Sequence, residues 1–332
     1  PTTDQAERTD VDRDPPAPSL HRKVPMKRSL LATSLAALLA PALFPIASAQ
    51  AQPNLAEAQV NALEGLAGPQ PGFRRSGAKG ICASGHFVGN TAGRALTTAS
   101  AFSGAKVPVV ARFSVGGGSP KASDKSKSVR GLALTFQLPG NETWQMANIS
   151  APVFFVARPE QFAPFVQART ADPATGKPDP EKLKAFNAAN PETLRQSAYL
   201  AQAPVPASYG AVNYWGVNAF EFVNTKGESR FARWQFVPEA GTLGLTEDQL
   251  KAMPDDFLAG ELRQRVGAKP VVFDMKLQLA EAGDNLTDPT LTWPEARTVV
   301  SAGKLVIDKV ADGMGGACDA MTFNPLVLPA GI

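Results

Sequence analysis

Apolar and polar residues alternate along several stretches of the chain. Val107, Val109, Ala111, Phe113 and Val115 share one side of a period-2 pattern, and Val271, Phe273, Met275, Leu277 and Leu279 share one side of another. That period puts every second side chain on the same face, so each stretch reads as a strand buried on one side. Phe220 to Val223 and Phe231 to Phe236 are further apolar runs, and the polar stretch Asn224-Thr225-Lys226-Gly227-Glu228 between them predicts an antiparallel hairpin with a longer loop. Helical patterns are fewer. They cover Pro159 to Arg169, Pro180 to Leu200 and Asp255 to Val266, each with a proline at or just before its start. These helices interrupt the strands instead of alternating with them. The expected fold is therefore α+β, a closed antiparallel β-barrel with inserted and flanking helices, rather than a doubly wound parallel sheet.

Upstream of the strands, Met26-Lys27-Arg28, an apolar run from Leu30 to Ile46, and Ala47-Ser48-Ala49-Gln50-Ala51 follow the order of a secretory signal peptide cleaved after Ala49 or Ala51. Pro41 and Pro45 interrupt the apolar run, which falls short of the ~20 residues of a spanning helix, so no stable membrane anchor is expected. On this reading residues 1–25 are an upstream non-native segment, 26–51 the signal peptide, and 52–332 one domain exported to the periplasm. No internal repeat or low-complexity linker divides that domain.

Composition narrows the function classes. Of 332 residues, 44% are hydrophobic and 19% charged, which suits a globular protein with a substantial core. The 33 basic and 30 acidic side chains are dispersed, so no phosphate-tracking surface is advertised and nucleic acid is not an expected partner. Two histidines and two cysteines, without CxxC or HxxxH spacing, leave a structural zinc site close to excluded. Cys82 and Cys318 can pair in an oxidising compartment or remain two buried thiols.

Few residues invite catalysis. Downstream of the leader the only histidine, His86, lies in a strand-like stretch beside Cys82, Ser84 and Val88, and reads as a satisfied or solvent-facing side chain. No Gly-x-Ser-x-Gly elbow occurs, and Gly116-Gly117-Gly118 lacks the spacing of a dinucleotide loop. What stands out is a combination of Arg74, Arg112 and Arg130 with Phe154, Phe155 and Phe162. Guanidinium groups pair with carboxylates and phenyl rings stack on planar surfaces, so the set suits a flat apolar ligand with acidic substituents, such as haem.

Six words occur in order: Phe73-Arg74-Arg75-Ser76-Gly77-Ala78-Lys79-Gly80, Val110-Ala111-Arg112-Phe113-Ser114, Val129-Arg130-Gly131-Leu132-Ala133-Leu134, Ala151-Pro152-Val153-Phe154-Phe155, Pro206-Ala207-Ser208-Tyr209 and Phe323-Asn324-Pro325. With their spacing, from Phe73 to the end of the chain, they resemble the catalase superfamily, and within it the short catalase-related peroxidases of bacteria. The resemblance implies a closed barrel enclosing the distal side of a haem b. It also implies reduction of hydrogen peroxide or organic peroxides, with the oxidised haem returned by a second peroxide or an organic electron donor. By motif, Arg74 and Arg112 are expected to hold the propionates, and Ser114, Gly131, Phe154 and Phe162 to line the distal pocket. The oligomeric state stays open.

The departures from the pattern are specific. The family word is Arg-x-x-His-Ala-Lys-Gly, whose histidine moves the peroxide proton, and here its place is Gly77. The distal asparagine is expected just before Pro-Val-Phe-Phe, where an ungapped count gives Ile149 and a one-residue shift gives Asn148. The tyrosinate that ligates iron belongs to an Arg-x-x-x-Tyr helix expected beyond Ile332, so the domain reads as truncated at its C-terminus with no metal ligand of its own. Arg195 and Tyr199 fit that pattern in the wrong part of the chain. Two readings follow, a periplasmic haem peroxidase and a non-catalytic barrel that binds haem or another apolar ligand.

Overall fold

The computed structural model describes residues 54–313 and 316–332, so the expected leader and upstream segment lie outside the described residues. Helix α1 (Leu55–Ala67), capped by the Asn54 side chain on the Glu57 N–H, precedes strand β1 (Gly80–Gly89). A one-turn helix α2 (Thr91–Arg94) leads to β2 (Lys106–Val115), β3 (Arg130–Gln137) and β4 (Thr143–Ile149). Helices α3 (Phe162–Gln167), α4 (Pro180–Ala189) and α5 (Leu194–Gln202) follow, then β5 (Tyr214–Trp215), β6 (Phe220–Val223) and β7 (Ser229–Pro238). Helices α6 (Glu247–Ala252) and α7 (Phe257–Ala268) separate these from β8 (Val271–Leu279) and β9 (Val299–Val310).

The strands hydrogen-bond in the order β5-β4-β3-β2-β1-β9-β8-β7-β6, and β5 also pairs with β7. Eight strands thus form a closed antiparallel ring, with β6 added as the outer arm of the expected hairpin. Closure removes the open edges that an eight-stranded sheet would otherwise expose. The two expected alternations hold: all five residues of each set face inward and are buried.

Aromatic side chains fill the barrel. Phe136 packs on Trp144 with ring centroids 5.0 Å apart, Phe87 on Phe136 at 5.4 Å, and Trp144 on Trp234 at 5.7 Å. These rings leave the middle of the barrel filled by side chains.

Among the expected helices, Pro180 to Leu200 is two helices, not one. A 3-10 turn, Pro191–Thr193, separates α4 from α5, because Pro191 has no N–H to continue the ladder. No helix among the described residues is long and apolar enough to cross a membrane.

Candidate functional site

The register of β1 to β4 assembles a flat patch on the outer wall. Gly80 pairs with Ser114, Ser114 with Gly131, and Gly131 with Ile149, which places four residues from four strands in one row. Three inter-strand steps make that row about 14 Å wide. The next row on the same face runs Cys82, Arg112, Ala133, Ala147. Six of these eight side chains are no larger than cysteine; Cys82 is bonded to Cys318 and Arg112 fills the space beside Gly80, so the small-residue surface left for a planar group is made by Ser114, Gly131, Ala133 and Ala147. At Gly131 a Cβ would stand 2.5 Å from Ser114 Oγ, so glycine there leaves the serine hydroxyl its place.

Arg74 and Arg112 meet at the β1–β2 end of the patch. Arg112, 6% exposed, donates from Nη1 to Gly77 O (2.8 Å), from Nη2 to Ala78 O (3.3 Å) and from Nε to Asp319 Oδ1 (2.9 Å). Its guanidinium crosses β1 where Gly80 leaves room, since a Cβ there would approach Arg112 Cζ to 2.6 Å. Arg74 donates from Nη2 to the carbonyls of Cys318, Asp319 and Met321 and lies over the Phe323 ring at 5.4 Å. Its buried Nε has no partner. Burial first, and then the neighbouring Arg112, hold its pKa below the ordinary arginine value, with Asp319 opposing. Two cations with one carboxylate between them leave a positive charge for an anionic ligand to neutralise.

At the β4 end the wall borders a cavity of about 550 Å³, lined among others by Ala147, Ile149, Phe154, Phe162, Phe220 and Pro325. Phe154 packs on Phe155 (4.3 Å between centroids) and Phe155 on Phe162 (5.1 Å), and the Phe154 N–H donates to Pro289 O. The expected residues Ser114, Gly131, Phe154 and Phe162 therefore lie on one side of the barrel, with the arginines at its far end.

Other expected positions fall elsewhere. Asn148 sits on the inner face of β4, donating to Leu132 O and accepting from Trp234 Nε1 at 2.7 Å, so its amide is engaged inside the barrel and not on the patch. Strand alternation is the reason: one residue on, Ile149 occupies the outer row, and it is apolar. Arg130 is wholly buried at the end of the barrel, bound to the carbonyls of Asp124, Ser126 and Ser128. Tyr199 packs edge-on against Trp215, and Arg195 donates to Thr290, so that pair does not face the patch. His86 lies six residues along β1 from Gly80, about 20 Å at strand rise, beside Asp308.

Position 77 is built for glycine. Its φ is +61°, in the left-handed region, and a Cβ would stand 3.0 Å from Ser114 Oγ. Sequence reasoning missed Asp319, whose only signal was its place next to Cys318. It also left the cysteines open; they form a Cys82–Cys318 disulfide.

The family model described as Catalase matches residues 73–332. The chain belongs to the catalase family. It is 44% identical over 273 residues to a catalase-related peroxidase of Synechococcus elongatus, covering 82% of this chain and 80% of that one. It is 31% identical over 274 residues to one of Mycolicibacterium paratuberculosis, covering 82% and 86%. Among solved structures, a bacterial catalase superposes with a TM-score of 0.71 at 20% identity, over 78% of this chain and 53% of the other. The chain thus spans about half the length of the solved catalases it matches.

The patch fits the haem that the resemblance implies in two respects and not in a third. The Gly131 cradle and the phenylalanines suit the face of a porphyrin, and the excess charge and orphaned Arg74 Nε suit its carboxylates. No tyrosine or histidine faces the patch among the described residues: Tyr209 and Tyr214 are buried in the core, and Tyr199 and His86 are placed as above.

Proposed function

We propose that this catalase-family chain is a haem-dependent peroxidase that reduces hydrogen peroxide or organic peroxides in the periplasm, with haem b lying on the outer wall across β1 to β4. The observation that carries the reading is the convergence of Arg74 and Arg112 at one end of a row of small residues. Arg74 and Arg112 would hold the propionates, and Ser114, Gly131, Phe154 and Phe162 would line one face. When bound, haem would supply the iron on which peroxide is reduced.

Ser114 carries the hydroxyl of the Gly80 row, so it can hydrogen-bond a peroxide there. Gly77 offers no imidazole and Ile149 no amide, so neither position supplies a group to move the peroxide proton. Turnover is expected to be ~10²–10⁴-fold below that of relatives with a histidine at that place. The periplasmic part rests on the Met26 to Ala51 leader and on a disulfide, a bond that persists in oxidising compartments.

Reconstitution with haem tests the reading. A Soret band that titrates to one haem per chain, with peroxide-dependent oxidation of an organic donor, is expected. Arg112→Gln should weaken haem binding about tenfold, the loss of one charge-assisted contact. Absence of a Soret band in the intact protein would overturn it.

A further inference from the structure

Both guanidinium groups at the end of the patch are held by one turn of chain, and one covalent bond holds that turn. Nη2 of Arg74 donates to Cys318 O at 2.8 Å, Asp319 O at 3.0 Å and Met321 O at 2.6 Å. Nε of Arg112 donates to the Asp319 carboxylate, whose side chain is 41% exposed. An ion pair that open to water is too weak to hold a turn by itself. Cys318 is bonded to Cys82, which stands opposite Arg112 in the β1–β2 register. Arg112 also holds the Gly77 and Ala78 carbonyls, so the turn, both arginines and the loop carrying position 77 form one connected unit.

We propose that the Cys82–Cys318 disulfide is a positioning device for a carboxylate clamp made by Arg74 and Arg112. Backbone pairing with β9 holds the chain on β1 as far as Ala311, whose N–H donates to Cys82 O, and the disulfide carries that hold on into the 317–321 turn. A released turn frees the Arg74 guanidinium, whose hydrogen bonds go to that turn, to be ordered by the incoming ligand, and takes the Asp319 bond from Arg112, which keeps Gly77 O and Ala78 O. Each arginine immobilised on binding weakens affinity by up to roughly tenfold. The bond acts only on the carboxylate end, because the small-residue row and the phenylalanines are held by the barrel and by the Pro289 contact.

The identity of the ligand rests on the haem reading; the positioning does not. Metal-free protoporphyrin IX and its dimethyl ester, which lacks the carboxylates, are titrated by fluorescence against the full chain and against Cys82→Ser/Cys318→Ser. A second variant, Cys82→Val/Cys318→Ala, refills the buried space with apolar groups should the serines prevent folding. In either folded variant the diacid is expected to bind about tenfold more weakly or worse, while the ester stays within about twofold. Unchanged diacid binding, or equal losses for diacid and ester, would overturn the proposal, the second showing a structural crosslink alone. If the intact protein does not prefer the diacid, the haem reading fails instead, and amide exchange decides the inference. Faster exchange at residues 74–80 with β8 unchanged supports it, and unchanged exchange at 74–80 overturns it.

Discussion

Gly77 stands where the sequence reading expected a histidine, and its backbone conformation bears on that place as much as its missing side chain does. A side chain at φ +61° costs about 1–2 kcal/mol, and here it also meets Ser114 Oγ. Gly77→Ala is therefore expected to lower unfolding free energy by about 1–2 kcal/mol in a denaturant titration. A neutral or stabilising effect would show that the loop is not left-handed at this position. The same strain applies to Gly77→His, so an imidazole at this position carries a similar cost. Position 77 was legible in the sequence as a missing histidine, but its dihedral angle was not, since the Arg112 bond to its carbonyl comes from β2. Asn148 shows the complementary case: its neighbourhood was recognisable, and a single strand step decided that it caps the Trp234 indole inside the barrel.

At the scale of elements, the loop between β2 and β3 is tied to helix α7 and to the start of β1 by one buried carboxylate. Asp124, 0% exposed, lies 2.8 Å from the Lys79 ammonium, and its Oδ2 accepts the Leu258 N–H in the first turn of α7. The ammonium also donates to the carbonyls of Ala122 and Asp255. Removing the carboxylate leaves a buried cation without its counter-charge, held by carbonyls alone, and a helix N–H without its partner. Asp124→Ala is expected to cost about 3–5 kcal/mol, measured by chemical denaturation. A loss below about 1 kcal/mol would mean that water takes over the site. None of this network was readable along the chain, because its members are brought together by closure of the barrel. Strand positions were legible from their alternation. Helices α1 and α6 were not, since their patterns mix apolar and polar residues without a clear stripe.

For the whole molecule, the core carries its own pH limit. Tyr214 is fully buried, donates to the Tyr209 carbonyl, and its pKa is raised well above the ordinary value by burial first and by Tyr209 second. Tyr209 is raised too, by burial first and Asp124 second. Both phenols stay protonated in the fold while the unfolded chain ionises them near pH 10, so stability is full below that value and falls as pH rises through it. Unfolding free energy is expected to drop by roughly 2–3 kcal/mol between about pH 9 and about pH 11. Denaturant titrations at the two pH values check this, and a flat profile would contradict the burial.

The sequence by itself determined which residues face inward along β2 and β8, where the hairpin turns, and which ordered words mark the family. Those properties depend on local periodicity and on residue identity, both of which are carried along the chain. Only the tertiary structure decided that Arg74 and Arg112 share one turn, that Cys82 meets Cys318, and that the patch lies outside the barrel. Each of those facts depends on distances between residues far apart in sequence, which are set by strand register and ring closure.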